Sequence, residues 1–225
     1  MSLYEVRPHD SLTAPALVAA LDGWVDAGSC GTQAAEYVAR DGEVLVEFDV
    51  DALVDFRARR PILDIEGGRL TEFHWPRLTV RRVRFDLRDV LVLTGPEPDY
   101  RWKHFRRDLV ELARELAVVE SVSLGAIPAM VPHTRPTPVL TTGSAREGAD
   151  TGPPLPAEHL RVPAAAVNLV EVALAEEGIR SGGFWAQVPH YVAGAFTAGA
   201  LALVERVSAH LNVVVSVDEL VEEAR

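Results

Sequence analysis

The residues best suited to chemistry lie in two similar turns, Val131-Pro132-His133 and Val188-Pro189-His190. Each turn follows an apolar run that is typical of a buried strand, and Arg135 lies just after the first histidine. If both strands belong to one parallel sheet, their carboxyl ends meet at one edge, where open α/β sheets bind ligands. The two histidines are then candidate catalytic acids or bases, and Arg135 is a candidate for holding an anion.

Three carboxylates are predicted to share that edge. Asp22 and Asp26 follow the first predicted strand in a turn-rich segment, and both are candidate ligand-binding residues. Glu97 follows a later strand within Gly95-Pro96-Glu97-Pro98, which makes it a third catalytic candidate beside the histidines. Together these side chains predict a pocket with an acid or base, an anion-binding arginine and carboxylates.

A structural role for these turns is the interpretation that the sequence favours. Proline fixes φ and removes a hydrogen-bond donor, so Val-Pro-His ends a strand well. The glycines around Asp22 do not have the spacing of a phosphate-binding loop, and Ser29 is predicted to cap the first helix instead. The sequence contains no standard catalytic motif, no third ligand that would give the two histidines a metal site, and no cofactor motif. We therefore expect no cofactor and lean away from an enzyme.

A run of mixed charge follows the second predicted strand. It contains Asp55, Arg57 and Arg60 among other aspartates and arginines. Such mixed charges most often form surface or interface ion pairs rather than a catalytic centre. Asp55, Arg57 and Arg60 are therefore predicted to be interface residues.

The elements that must position these residues alternate between strands and helices. Short apolar runs predict strands, and apolar residues three or four positions apart predict helices, most clearly where Trp102, Phe105 and Leu109 share one face. Strands are predicted at 14–21, 44–48, 90–93, 121–127 and 183–188, and helices at 31–40, from 101 onward, and at 164–177, 193–211 and 217–225.

This alternation predicts a three-layer α/β fold, in which helices cover both faces of a mainly parallel, mixed sheet. The first strand, helix and second strand predict a right-handed β-α-β crossover. An antiparallel insertion is predicted at about 61–86, and an exposed loop at about 141–157. At 225 residues, the chain from 1 to 225 is predicted to form a single α/β domain.

Composition and charge argue against several classes of function. The net charge of −11 disfavours nucleic acid as a partner, because proteins that bind it carry basic patches. The N-terminus, MSLYEVRPHD, has charges where a signal peptide would be apolar, and no apolar run is long enough to span a membrane. The single Cys30 cannot form an intramolecular disulfide. These features predict a cytoplasmic protein without a membrane partner.

Five segments carry a resemblance to a known family. They are LDGWVDAGSCG, DFRARRP, TGPEPDYRWKHF, LGAIPAMVPHTRP and FWAQVPHYVAG. As an ordered set, from about residue 14 to 210, they resemble the bacterial branch of the proteasome assembly chaperone 2 family. The resemblance implies a phosphorylase/hydrolase-like α/β fold, self-association and proteasome-related protein partners. It also implies docking through a C-terminal hydrophobic-Tyr-any tripeptide, which Glu223-Ala224-Arg225 does not match.

Two hypotheses for function follow. The first is a non-enzymatic, oligomeric protein-interaction or assembly factor, and the absence of a catalytic motif favours it. The alternative is a phosphorylase- or hydrolase-like enzyme for a nucleoside-like or other small anionic ligand. In that enzyme His133 or His190 would act as acid or base, and Arg135 would bind the anion.

Overall fold

A mixed sheet of eight strands forms the centre of the fold in the computed structural model, which describes residues 2–143, 153 and 159–224. The described residues contain two further strands outside this sheet. In chain order, all the strands are β1 (Tyr4–Val6), β2 (Ala16–Asp22), β3 (Glu43–Phe48), β4 (Ile62–Glu66), β5 (Arg69–His74), β6 (Thr79–Arg84), β7 (Asp89–Pro96), β8 (Glu120–Ala129), β9 (Val139–Gly143) and β10 (Arg180–Pro189). The order across the sheet is β1-β3-β6-β7-β2-β8-β10-β9. Strands β4 and β5 pair with each other in a separate hairpin.

Four neighbouring strands, β7, β2, β8 and β10, run parallel in the middle of the sheet. Strand β6 is antiparallel to β7, and β3 is antiparallel to β6, so β3 points in the same direction as the central four. The outermost strands, β1 and β9, run antiparallel to their neighbours. Five strands therefore end at one side of the sheet, which we call the carboxyl edge.

Helices cover both faces of this sheet. They are α1 (Cys30–Val38), α2 (Val50–Leu53), α3 (Trp102–Glu115), α4 (Ala166–Glu176), α5 (Thr197–Leu211) and α6 (Asp218–Glu223). Helices α3 and α4 contribute to one buried apolar cluster, and α1, α5 and α6 contribute to the other. Alternate residues of β2 serve the two layers, since Leu17 and Leu21 belong to the first cluster and Val18 and Ala20 to the second. The predicted three-layer α/β fold is confirmed.

Helix α3 buries the apolar face that its sequence predicts. Phe105, Leu109 and Leu112 are all buried on this face. Asp108 is fully buried beside them, and its Oδ2 accepts a hydrogen bond of 2.6 Å from the backbone N of Leu3. The helix therefore packs on the sheet and also fixes the start of the chain.

The structure differs from the sequence prediction in several places, and strand β1 and helix α2 were not predicted at all. Strand β3 is not next to β2, because β7 and β6 lie between them, although a helix connects the two as expected. The predicted insertion at 61–86 is not one unit. Its strands β4 and β5 form the separate hairpin, while β6 belongs to the main sheet. The predicted loop at 141–157 begins inside β9, which pairs with β10. Apart from residue 153, the rest of that predicted loop lies outside the described residues.

Strand β9 escaped prediction for a physical reason. Only Val139 and Leu140 are large and apolar, and the strand continues as Thr-Thr-Gly. The segment forms a strand because it pairs with β10, and strand propensity depends strongly on such neighbours.

The helices share one further property. None in the described ranges is long and apolar enough to cross a membrane.

Candidate functional site

The carboxyl edge brings the two Val-Pro-His turns together. Strands β8 and β10 run in register to their last residues, Ala129 and Pro189, and His190 N donates a hydrogen bond of 3.1 Å to Ala129 O. The ring of Tyr191 lies between the two imidazoles, 5.9 Å from His133 and 5.3 Å from His190 between ring centroids. The shared rim that the sequence predicted for the two histidines is therefore present.

Tyr191 is the residue that sequence reasoning missed at this rim. Its hydroxyl accepts a hydrogen bond of 3.0 Å from the backbone N of His133 and lies 3.0 Å from Nδ1 of the same residue. All three aromatic side chains are exposed. Arg135 is also exposed, and it makes no hydrogen bond or ion pair with any described residue. The geometry gives the histidines a structural link, and their catalytic role stays a prediction.

Asp26 caps helix α1. Its Oδ1 accepts hydrogen bonds from Gly31 N at 2.7 Å and from Thr32 N at 3.3 Å, and its Oδ2 accepts one from Thr32 Oγ1. Burial raises the pKa of Asp26, although these hydrogen bonds oppose the shift. The prediction that Ser29 caps this helix was wrong, because Ser29 has a φ of 51° and makes no capping bond through its side chain.

Glu97 ties two segments of the carboxyl edge to each other. Its Oε1 accepts a hydrogen bond from the backbone N of Ala166, in the first turn of α4, and its Oε2 accepts one of 3.4 Å from Trp24 N. Gly23 makes room for this carboxylate, since a β-carbon at residue 23 would lie 2.3 Å from Oε2. Both oxygens thus serve backbone amides, and a catalytic role for Glu97 stays a prediction.

Asp22 borders a cleft of about 360 Å³ at the same edge. Its side chain is exposed at the end of β2. The other lining residues are Thr32, Glu36, Arg59, Pro76, Gly95 and Pro96. The three polar side chains among them are already engaged, because Thr32 binds Asp26, Arg59 binds Asp99 and Glu36 binds Arg81. Of the three carboxylates predicted at this edge, only that of Asp22 makes no hydrogen bond or ion pair with the described residues.

The mixed-charge run forms a local network beyond β3. Asp55 Oδ1 accepts a hydrogen bond of 2.8 Å from Arg57 N, and Tyr100 Oη donates one of 3.1 Å to its Oδ2. The bond from Arg57 N is the main reason that the pKa of Asp55 is lowered. The side chains of Arg57 and Arg60 are exposed and form no ion pair with the described residues, so their interface role stays a prediction.

A hairpin formed by residues 62–75 carries an apolar surface that the sequence did not reveal. Five large side chains there are more than half exposed: Ile62 67%, Ile65 62%, Leu70 67%, Phe73 54% and Trp75 54%. We call this segment the exposed hairpin. Its ring contacts run from Phe73 to Trp75 at 6.0 Å and from Trp75 to Phe56 at 5.2 Å between ring centroids. The sequence indicated an antiparallel insertion here, but its alternation could not show that the apolar side chains stay exposed among the described residues.

Comparison with known proteins places the chain in a family. A family model described as the PAC2 family matches residues 20–225. No curated protein matches the chain. Among solved structures, a PAC2 family protein from Streptomyces avermitilis is 35% identical, has a TM-score of 0.81, and aligns over 94% of this chain and 92% of its own.

Two structures from Mycobacterium tuberculosis are also similar. One, described as the proteasome-assembly chaperone homologue Rv2125, is 32% identical with a TM-score of 0.83, over 93% of this chain and 90% of its own. The other, a protein of unknown function called Rv2714, is 33% identical with a TM-score of 0.91, over 98% of this chain and 80% of its own. On the family match and these likenesses, the chain belongs to the PAC2 family.

Proposed function

We propose that this chain is a non-enzymatic, oligomeric protein-interaction factor of the assembly-chaperone type. The description of the M. tuberculosis homologue supports this class of function, at 32% identity over nearly the whole chain. The commitment of Asp26 and Glu97 to backbone amides supports the non-enzymatic part, because an active site keeps such carboxylates available to a substrate.

The exposed hairpin is the observation that carries the proposal. Two-stranded hairpins are marginally stable in water unless something packs against them. In the described residues, Ile62, Ile65 and Leu70 have no covering layer and are each exposed by more than 60%. Large apolar side chains concentrated on one exposed segment, rather than scattered singly, are typical of protein interaction sites in soluble proteins.

The occupant that we propose for the exposed hairpin is a second copy of this chain. Strands β4 and β5 are hydrogen-bonded only to each other within the described residues, so each has one free edge. A free edge with apolar side chains is a template for an identical edge, and a two-fold interface uses the same patch on both subunits. Edge pairing then places the apolar side chains of the two hairpins beside each other, where contacts across the new strand pair cover part of their surface.

Sedimentation velocity and light scattering test this assignment. The wild-type chain should give an oligomer mass, and the triple variant Ile62→Ser, Ile65→Ser, Leu70→Ser should give a monomer mass. The matched control is Leu87→Ser with Val214→Ser, since these exposed apolar side chains lie elsewhere at 69% and 90% exposure. The control should keep the wild-type mass. A monomeric wild type, or an oligomer that survives the triple variant, would refute self-association through the hairpin.

We further propose a cytoplasmic location, one domain over 1–225 and proteasome-related proteins as partners. The partner class rests on the similarity to the M. tuberculosis proteasome-assembly chaperone homologue Rv2125. Co-purification with recombinant proteasome α-subunits tests it, with binding expected for the wild-type chain. A clean negative result at micromolar concentrations of both proteins would exclude that partner class.

The enzyme alternative has one observation in its favour, which is the meeting of His133, Tyr191 and His190 at the carboxyl edge. Thermal-shift measurements with inorganic phosphate and with nucleosides test it, because a ligand that binds the folded chain raises the melting temperature. A shift that His133→Ala removes would support an enzyme. The interaction proposal predicts no shift with any of these ligands.

A further inference from the structure

Three side chains that can bind metal converge on the exposed hairpin. They are Asp64 on β4 and Glu72 and His74 on β5, and one donor atom from each lies within 4.8 Å of the other two. His74 Nε2 is 2.8 Å from Asp64 Oδ2. A register shift between Leu63 and Ile65 separates Asp64 from the regular pairing of the two strands.

In the part of the chain that the structure describes, the two carboxylates of this trio lack a permanently charged partner. Some exposed carboxylates elsewhere pair with arginine: Glu47 contacts Arg7 and Arg77, and Glu36 contacts Arg81. Within the described residues, neither Asp64 nor Glu72 has an arginine or lysine partner. Like charges across a strand pair are destabilising, and an isolated hairpin has little stability to spare. A bound cation would remove this repulsion and connect the two strands.

We propose that Asp64, Glu72 and His74 form a binding site for a divalent transition-metal ion of the zinc type. One imidazole nitrogen and two carboxylate oxygens are a donor set that zinc accepts, whereas calcium and magnesium prefer oxygen donors alone. Three protein ligands leave a coordination position for water or another group. No sequence motif indicated this site, because its ligands belong to two strands whose bulged pairing brings them together. The assignment does not depend on self-association.

Calorimetric titration of the untagged chain with zinc chloride tests the site. The wild-type chain should bind one zinc ion per chain, and both Glu72→Gln and His74→Ala should lose that step. These side chains are exposed, so the variants should keep the wild-type circular dichroism spectrum and melting temperature without metal. The double variant His133→Ala, His190→Ala is the matched control and should bind zinc as the wild type does.

Two results would overturn the assignment. One is a wild-type chain that takes up no stoichiometric zinc. The other is a zinc-binding step that persists in Glu72→Gln and His74→Ala, or that disappears in the His133→Ala, His190→Ala control. Cobalt(II) gives an independent readout, since a bound ion with a nitrogen ligand should show visible absorption that His74→Ala removes.

Discussion

At the scale of single residues, Asp26 shows how a carboxylate at a ligand-binding position can serve the fold instead. We expect Asp26→Ala to lower the free energy of unfolding by about 1–2 kcal/mol, because α1 loses the acceptor for its first amides. Urea unfolding measures the change. Asp22→Ala is the matched control at the same edge, and it should change stability by less than about 0.5 kcal/mol because Asp22 is exposed. Equal effects from the two substitutions would contradict the capping role.

The pH dependence of Asp26 has a defined sign. Burial is the largest cause that raises its pKa above the ordinary value of 3.8. The folded state therefore holds this proton more tightly than the unfolded state, and ionisation of Asp26 costs stability as pH rises from 3.8 through the raised pKa. The free energy of unfolding of wild type minus that of Asp26→Asn should fall across this window and be constant above it. A difference that rises with pH would show that the pKa is lowered instead.

At the scale of elements, the pair β6 and β7 carries a buried ion pair. Arg82 and Asp89 are each about 4% exposed in their side chains, and Arg82 Nε donates a hydrogen bond of 2.7 Å to Asp89 Oδ1. Asp10 also accepts a hydrogen bond from Arg82 and remains in an Asp89 variant. We expect Asp89→Ala to lower the free energy of unfolding by about 3 kcal/mol, because the buried guanidinium of Arg82 then keeps only Asp10 as a carboxylate partner among the described residues.

Two comparisons make this prediction specific. Arg84→Ala removes an exposed arginine from the same strand and should change stability by less than about 1 kcal/mol. The double variant Arg82→Leu, Asp89→Leu should be more stable than Asp89→Ala, because no unpaired charge stays buried. Denaturant unfolding of all three variants decides the matter. Similar losses for Asp89→Ala and Arg84→Ala would mean that burial adds nothing to this pair.

The same element scale explains how much the sequence can predict. Helix α3 was predictable because fourteen residues repeat one apolar period, so Phe105 and Leu109 identify the buried face without tertiary information. The meeting of His133 and His190 was predictable because equivalent ends of parallel strands share an edge. The sequence could not predict that Asp26 rather than Ser29 caps α1. Which of the two side chains reaches the helix amides depends on the backbone turn between them, and three-dimensional packing sets that turn.

At the scale of the whole molecule, net charge and apolar surface act in opposite directions on self-association. Each chain carries a net charge of −11, so two copies repel each other at long range. The exposed hairpin contributes Ile62, Ile65 and Leu70, whose burial is not weakened by salt. Salt shortens the range of the repulsion, since the Debye length falls from about 10 Å at 0.1 M to about 3 Å at 1 M ionic strength.

We therefore expect the proposed oligomer to become tighter as sodium chloride is added, whereas an interface held by ion pairs between subunits would become weaker. Sedimentation velocity over a range of protein concentrations, at low and at high salt, measures the association constant. The triple variant Ile62→Ser, Ile65→Ser, Leu70→Ser has the same net charge and should remain monomeric at every salt concentration. Association that weakens with salt would assign the interface to charged residues such as Arg57 and Arg60, and away from the hairpin.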